Sequence, residues 1–357
     1  MQLQTWKIQG RGAFHFGEHG IGQEAGRLTW PSDSLFAALI ARLASLHGPE
    51  AVTAWLGTPE KPHTPPFLLT STFPYAGKVR FFPVPKAALR GDPPQGLRHK
   101  DLKKVRFVSE RIYYQLLKGK RLAEVFSKAM RLHNKTLWVL QEETEHLPPQ
   151  YDKQGHFIPV EKRHFWAIIK RPRVAVGRSP QNSNLFHVGA VHFAEGCGLW
   201  FGVQWLIDTP TQRDLLKTLL KDLGDAGLGA ERSAGYGQAE ITKDDQITLP
   251  NPTGGLWTTL SRYLPAADEI AALTRPEAAY DIQRVGGWID NSTLRRRALN
   301  LLAEGAVLGP VGKTPPYGLA VDARPRPNAQ RKDNFTEPNH PVWRVGLAVA
   351  VGYGGKA

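Results

Sequence analysis

Polar and apolar positions alternate over Leu3–Ile8 and again over Ala13–Phe16, a period of two that predicts extended strands at the start of the chain. The period then lengthens. Leu35, Phe36, Leu39, Ile40 and Leu43 share one face of a helix expected from Ser32, its N-cap, to about His47. Phe67–Phe73 and Lys78–Val84 read as the arms of a hairpin around Tyr75-Ala76-Gly77. From 88 to 160 the chain is charged, bordered by prolines, and carries an expected helix near Arg111–Arg131; this stretch reads as a helical insertion. Strands are expected over Phe165–Val176, Phe186–Phe193 and Leu199–Ile207. Thr211–Leu223 then has a helical stripe of Leu215, Leu216, Leu219, Leu220 and Leu223, expected to stop at Gly224, and Gln238–Thr242 reads as a strand. Strand, helix, two strands, helix, strand is the ferredoxin-like order.

The Pro- and Gly-rich stretch Leu249–Gly255 marks a boundary, after which similar parts recur. Trp257–Leu264 is a strand or short helix, Tyr280–Ile289 a hairpin arm, Leu294–Ala303 a helix carrying Arg295, Arg296 and Arg297, and Trp343–Val351 a buried strand. Arg324–Glu337 is an expected surface loop. The expected architecture is therefore α+β: two ferredoxin-like (RRM-like) domains with antiparallel sheets. The first spans 1–248 with the insertion at about 88–160; the second, a degenerate copy, spans 255–357.

Charge adds what the pattern cannot. Among 357 residues, 46 Lys and Arg against 32 Asp and Glu give a formal charge of +14, which favours a polyanionic partner. No segment of some 18 apolar residues or signal peptide is expected, so the membrane drops out as that partner. A single cysteine, Cys197, excludes an internal disulfide and a cysteine zinc cage and fits a reducing cytoplasm.

The candidate chemistry gathers in Gly227-Leu-Gly-Ala-Glu-Arg-Ser-Ala-Gly-Tyr-Gly237. Gly227, Gly229, Gly235 and Gly237 permit the backbone to turn and approach a ligand, and successive N–H groups in such a loop suit phosphate oxygens. Arg232, Ser233 and Tyr236 add a guanidinium fork, a hydroxyl and a stacking ring. Walker-type and dinucleotide loops run from strand into helix. This loop instead leaves a helix and lacks the Lys-Ser/Thr ending, which excludes those classes; an ordinary glycine-rich connection remains the alternative.

With the opening Phe14–Gly22, the helix entry Pro31–Leu39, Phe81-Phe-Pro-Val-Pro85, Leu102–Phe107 and the ending His340–Gly346, the Gly-rich loop resembles the RAMP superfamily of CRISPR effector subunits. The set of blocks in order is similar to the fourth Csm subunit of type III-A complexes and covers nearly the whole chain. The resemblance implies a non-catalytic protein without cofactor or metal. It would hold the repeat-derived 5′ tag of the CRISPR RNA (crRNA), dock on the large polymerase-like subunit and adjoin the repeating backbone RAMP subunit. Related loops carry a basic residue just before the Arg-Ser pair where this chain has Glu231, so a phosphate contact at that position is not implied.

Arg171, Arg173 and Arg178, followed by a polar loop with Asn182 and then by Phe186, form a second candidate: a basic hairpin that tracks a single strand while a ring stacks on its bases. In the related subunits such a hairpin is a thumb that kinks RNA; a plain solvated hairpin is the alternative. Ser32 heads a helix whose N–H groups suit a phosphate, although simple capping explains it as well. His15, Glu18 and His19 spell an H-x-x-E-H zinc motif, but that chemistry needs a helix and glycines surround it. His15 or His187 is also the candidate general acid or base of the rival reading, a metal-independent RAMP endoribonuclease cutting repeat RNA. A purely architectural protein is a third.

Overall fold

The computed structural model describes residues 1–17, 26–176, 183–289, 294–325 and 338–354. The chain opens with β1 (Gln2–Gly10), the short pair β2 (Phe16–Gly17) and β3 (Gly26–Arg27), and helices α1 (Ser32–His47) and α2 (Pro49–Leu56). A minimal ladder, β4 (Gly57–Thr58) and β5 (Lys61–Pro62), leads to β6 (Phe67–Leu69), β7 (Phe73–Ala76) and β8 (Val79–Pro83). Next come α3 (His99–Leu102), β9 (Phe107–Ser109), α4 (Glu110–Leu117), β10 (Ala129–Leu132) and β11 (Leu137–Leu140). A long hairpin, β12 (Trp166–Val176) and β13 (Ser183–Phe193), precedes β14 (Cys197–Trp205), α5 (Pro210–Ala226) and β15 (Ala239–Thr248). The C-terminal part adds β16 (Trp257–Thr259), β17 (Ile282–Val285), β18 (Leu299–Leu302), β19 (Val307–Leu308), β20 (Tyr317–Asp322), β21 (Trp343–Ala348) and β22 (Ala350–Gly352).

The protein is a mixed α+β fold. Its main sheet runs β10-β11-β9-β8-β7-β14-β1-β15, with β6 also on β14. β1 lies antiparallel between β14 and β15, and β14 continues antiparallel onto β7. Leu35, Leu39 and Leu43 of α1 and Leu216, Leu219 and Leu220 of α5 are fully buried in one core with this sheet, each contributing about 1.5–3 kcal/mol. Trp343, Val345 and Leu347 of β21 join the same core, whereas Trp257, Tyr263 and Tyr317 form a second, smaller one.

Four expectations need correction. The stretch at 88–160 is not purely helical: besides α3, α4 and 3₁₀ segments it carries β9, β10 and β11, which extend the main sheet. The helix expected over Arg111–Arg131 ends at Leu117, before Gly119 with φ +87°, and continues as a 3₁₀ segment over Leu122–Lys128. Leu294–Ala303 is not a helix, since Leu299–Leu302 pairs with β17. Gly224 does not end α5. The helix continues to Ala226, and Gly224 is buried because a Cβ there would lie 2.5 Å from the Ala239 carbonyl, so glycine lets helix and strand approach.

Candidate nucleic-acid interface

The Gly-rich loop closes against the segment that leaves β1. Gly237 donates its N–H to the Ala13 carbonyl and Ala230 to that of His15, both at 2.9 Å, while Leu228 donates to the Gly237 carbonyl. Gly227, Gly229, Gly235 and Gly237 all have φ between +82° and +91°. At Gly229 a Cβ would stand 2.5 Å from the His15 carbonyl, and at Gly237 2.2 Å from that of Leu228. Glycine is therefore required at these two points by conformation and by space. Glu231 occupies the left-handed region at φ +60°, a strained position for a side chain, and starts a 3₁₀ turn over Arg232–Ala234. The result is a fixed base and a presented tip: Arg232, Ser233, Ala234 and Gly235 are exposed.

Tyr236 departs from its expected role. Its side chain is 5% exposed and packs with Ala13 and Ala190. The ring fills the space that two alanines leave and fixes the loop to β13; it is not a platform for a base. His15 is also internal, at 4% exposure, with Nδ1 2.8 Å from the Gly189 carbonyl. Because a carbonyl only accepts, Nδ1 carries the proton. His15 thus ties the hairpin to the loop and lies in an extended bridge with Gly229, not on a helix; Glu18 and His19 lie outside the described residues.

The hairpin is rooted in the same place. Phe14 bridges Val191, and a Cβ on Gly26 of β3 would meet the Gly189 carbonyl at 2.7 Å. In the β12–β13 ladder Arg171 pairs with Val188 and Arg173 with Phe186. Arg171 is exposed and directs Nη2 to Nε2 of His192 at 3.4 Å. Burial first, and then this guanidinium, lower the pKa of His192, favouring its neutral, accepting form. His187 pairs with Pro172, on the other face from His192. Arg178 and Asn182 lie outside the described residues.

Ser32 belongs elsewhere. The N-cap of α1 is Pro31, without a side-chain capping bond. Ser32 is 4% exposed, its N–H donates to Ser71 Oγ, and its own Oγ accepts the N–H of Arg262. Both groups are engaged inside the protein, which leaves Ser32 as a joint between α1 and the C-terminal part. The pattern Pro31-Ser32-Asp33 carries no sign of these partners, 39 and 230 residues away.

One arginine that no motif singled out sits on the strand paired with Phe16 and Gly17, the residues that follow His15. Arg27 on β3 donates Nη1 to Gln283 Oε1 at 3.0 Å, and with Gly17, Trp30, Asp33, Arg262 and Val285 it lines a cleft of about 50 Å³. A two-residue strand has no periodicity by which Arg27 could be found. The structure thus brings Gly229, Gly237 and the Arg232-Ser233 tip together with the root of the Arg171 hairpin, whereas the N–H and hydroxyl of Ser32 are taken up by Ser71 and Arg262.

Residues 253–353 match the family model of the CRISPR Csm4 C-terminal domain. Over 303 residues the chain is 25% identical to the CRISPR system Cms protein Csm4 of Mycobacterium tuberculosis, covering 82% of this chain and 84% of that protein. A Csm4 protein of Thermococcus onnurineus is 24% identical over 299 residues, with 81% and 83% covered. Among solved structures, a chain of the Csm3-Csm4 subcomplex of a type III-A CRISPR-Cas interference complex superposes with a TM-score of 0.66 at 18% identity, covering 99% of both chains. A chain of a Csm1-Csm4 cassette with cA4 gives 0.55 at 17%, covering 99% and 98%.

Proposed function

The chain belongs with the Csm4 subunits of type III CRISPR Csm complexes, and on that premise we propose that it is a non-catalytic subunit that binds the repeat-derived 5′ tag of the crRNA. The observation that carries this reading is the exposed Arg232-Ser233 tip, held rigidly on Ala13 and His15 beside the root of the Arg171 hairpin. A fixed backbone with outward donors binds phosphates without ordering a mobile loop first. The relatives solved with Csm3 and with Csm1 support two protein neighbours, a backbone subunit and the large subunit, within a complex in the cytoplasm.

In the finer fold we read β15-β1-β14-β7, with α1 and α5 as crossovers, as ferredoxin-like order 4-1-3-2 in a first unit of residues 1–248. Residues 255–357 are a second, degenerate unit in which β18 stands where a helix would. A nuclease reading would need an accessible acid or base; the burial of His15 with its proton directed to Gly189 counts against that candidate, which leaves half-buried His187 as the residue a nuclease would have to use.

Arg232→Ala is expected to weaken binding of single-stranded guide RNA roughly tenfold, as for loss of one charge-assisted contact. It should lower the slope of log affinity against log salt by about 0.7 and leave RNA length unchanged. Filter binding at several salt concentrations reads both. Wild-type affinity and slope in the variant would remove the loop from the site.

A further inference from the structure

Resting on that RNA-binding reading, we infer that Trp288 and Arg295, on the C-terminal part, form a stacking station for a base of the same RNA strand after it passes the Gly-rich loop. Trp288 is 58% exposed, which leaves much of its ring open to solvent. The Arg295 guanidinium lies 4.5 Å from its ring centroid. A guanidinium on a tryptophan that is still more than half exposed leaves a flat, electron-rich surface beside a positive charge, which suits a nucleobase with its phosphate.

Backbone contacts hold the two residues side by side. Trp288 and Arg295 form a bridge, Ile289 donates to the Leu294 carbonyl and Arg296 to that of Gly287, each at 2.9 Å, and Arg297 Nη2 donates to the Asp322 carbonyl. From Ile282 to Ala303 the sequence holds Arg284, Arg295, Arg296 and Arg297 against one acidic residue, Asp290. Arg284 and Arg295 are exposed. That charge favours a polyanion, and the open ring favours one with bases.

The station is continuous with the loop. Gly229 bridges His15; the next residues, Phe16 and Gly17, pair with β3; and Arg27 of β3 bonds Gln283 of β17, which ends three residues before Trp288. In the proposed reading the strand follows this run of contacts from the loop to the indole.

The test uses Csm complexes reconstituted with the full-length chain and a guide RNA carrying 4-thiouridine at successive positions. Crosslinks should map to the peptide containing Trp288, and Trp288→Ala should abolish them at one nucleotide. It should also lower guide affinity roughly tenfold to a hundredfold, the range for one stacked base, without changing the salt slope. Trp288→Phe should restore most of the affinity. Unchanged crosslinks and affinity in Trp288→Ala, beside weakened binding in Arg232→Ala, would overturn the station and leave the loop standing. Normal binding in both variants would overturn both readings. Loss of the Trp288→Ala chain from the complex, while the variant alone binds guide RNA with wild-type affinity, would overturn the station and make this surface a protein interface instead.

Discussion

Glu304→Ala is expected to destabilise the protein by about 3–5 kcal/mol, as removal of one partner from a buried ion pair does. Glu304 follows β18 and accepts Arg262 Nε at 2.8 Å and the Ser71 hydroxyl. Arg262 is 2% exposed, and its backbone N–H is already committed to Ser32. Without the carboxylate, a buried guanidinium loses the acidic group it bonds among the described residues, at the joint of the C-terminal part with α1 and the β6–β7 connection. Thermal and urea melts measure the loss. Arg213→Ala, which breaks an exposed pair with Asp208, should cost under about 1 kcal/mol and serves as the control. The same site carries a pH dependence. Burial pushes the Glu304 carboxyl up, but the Arg262 charge and the Ser71 hydrogen bond outweigh it and hold the carboxyl below the ordinary glutamate range. Its folded pKa is thus below the unfolded one, so this stabilisation is present above the unfolded value and is lost as pH falls through the folded value. Glu304→Gln should flatten that part of the acid limb; an unchanged limb would remove Glu304 from it.

Gly237→Ala should cost about 2–4 kcal/mol and remove RNA binding even at temperatures where the variant remains folded. A residue with a Cβ pays roughly 1–2 kcal/mol for the left-handed backbone that φ +85° demands. The Cβ would also lie 2.2 Å from the Leu228 carbonyl, so the loop base must open. Opening breaks the Leu228–Gly237 and Gly237–Ala13 bonds that hold the Arg232 tip in place. Gly235→Ala separates conformation from clash: φ is +82°, but nothing lies within 4 Å of the added carbon, so the cost should stay near 1 kcal/mol. Equal losses for the two variants in thermal denaturation would contradict the proposed role of the Leu228 contact.

How far the chain could be read from its sequence depended on whether the signal was local. The stripes of α1 and α5 repeat over more than two turns, and the glycines between Gly227 and Gly237 act within their own loop, so both were legible. Leu294–Ala303 misled because Leu294, Ala298 and Leu301 mimic a helical face, while its partner strand β17 lies in a separate arm. Near Arg111, the sequence suggested one long helix, yet Gly119 takes φ +87° and ends the turn. The candidate site shows the same limit. Exposure of Arg232 follows from its place at the loop tip, but the burial of Tyr236 is decided by Ala13 and Ala190, and that of His15 by Gly189. Arg27, Arg262 and Trp288 take their places from contacts across the chain, which no spacing records.

The most direct test of the central claim is one gel. The full-length protein is incubated in EDTA, at two salt concentrations, with guide RNA carrying or lacking the 5′ repeat tag, and both bound fraction and RNA length are read. Tag-dependent binding that weakens with salt and leaves the RNA intact is the predicted result. Site-specific shortening would identify a nuclease, and binding indifferent to the tag would leave a basic scaffold; either contradicts the account.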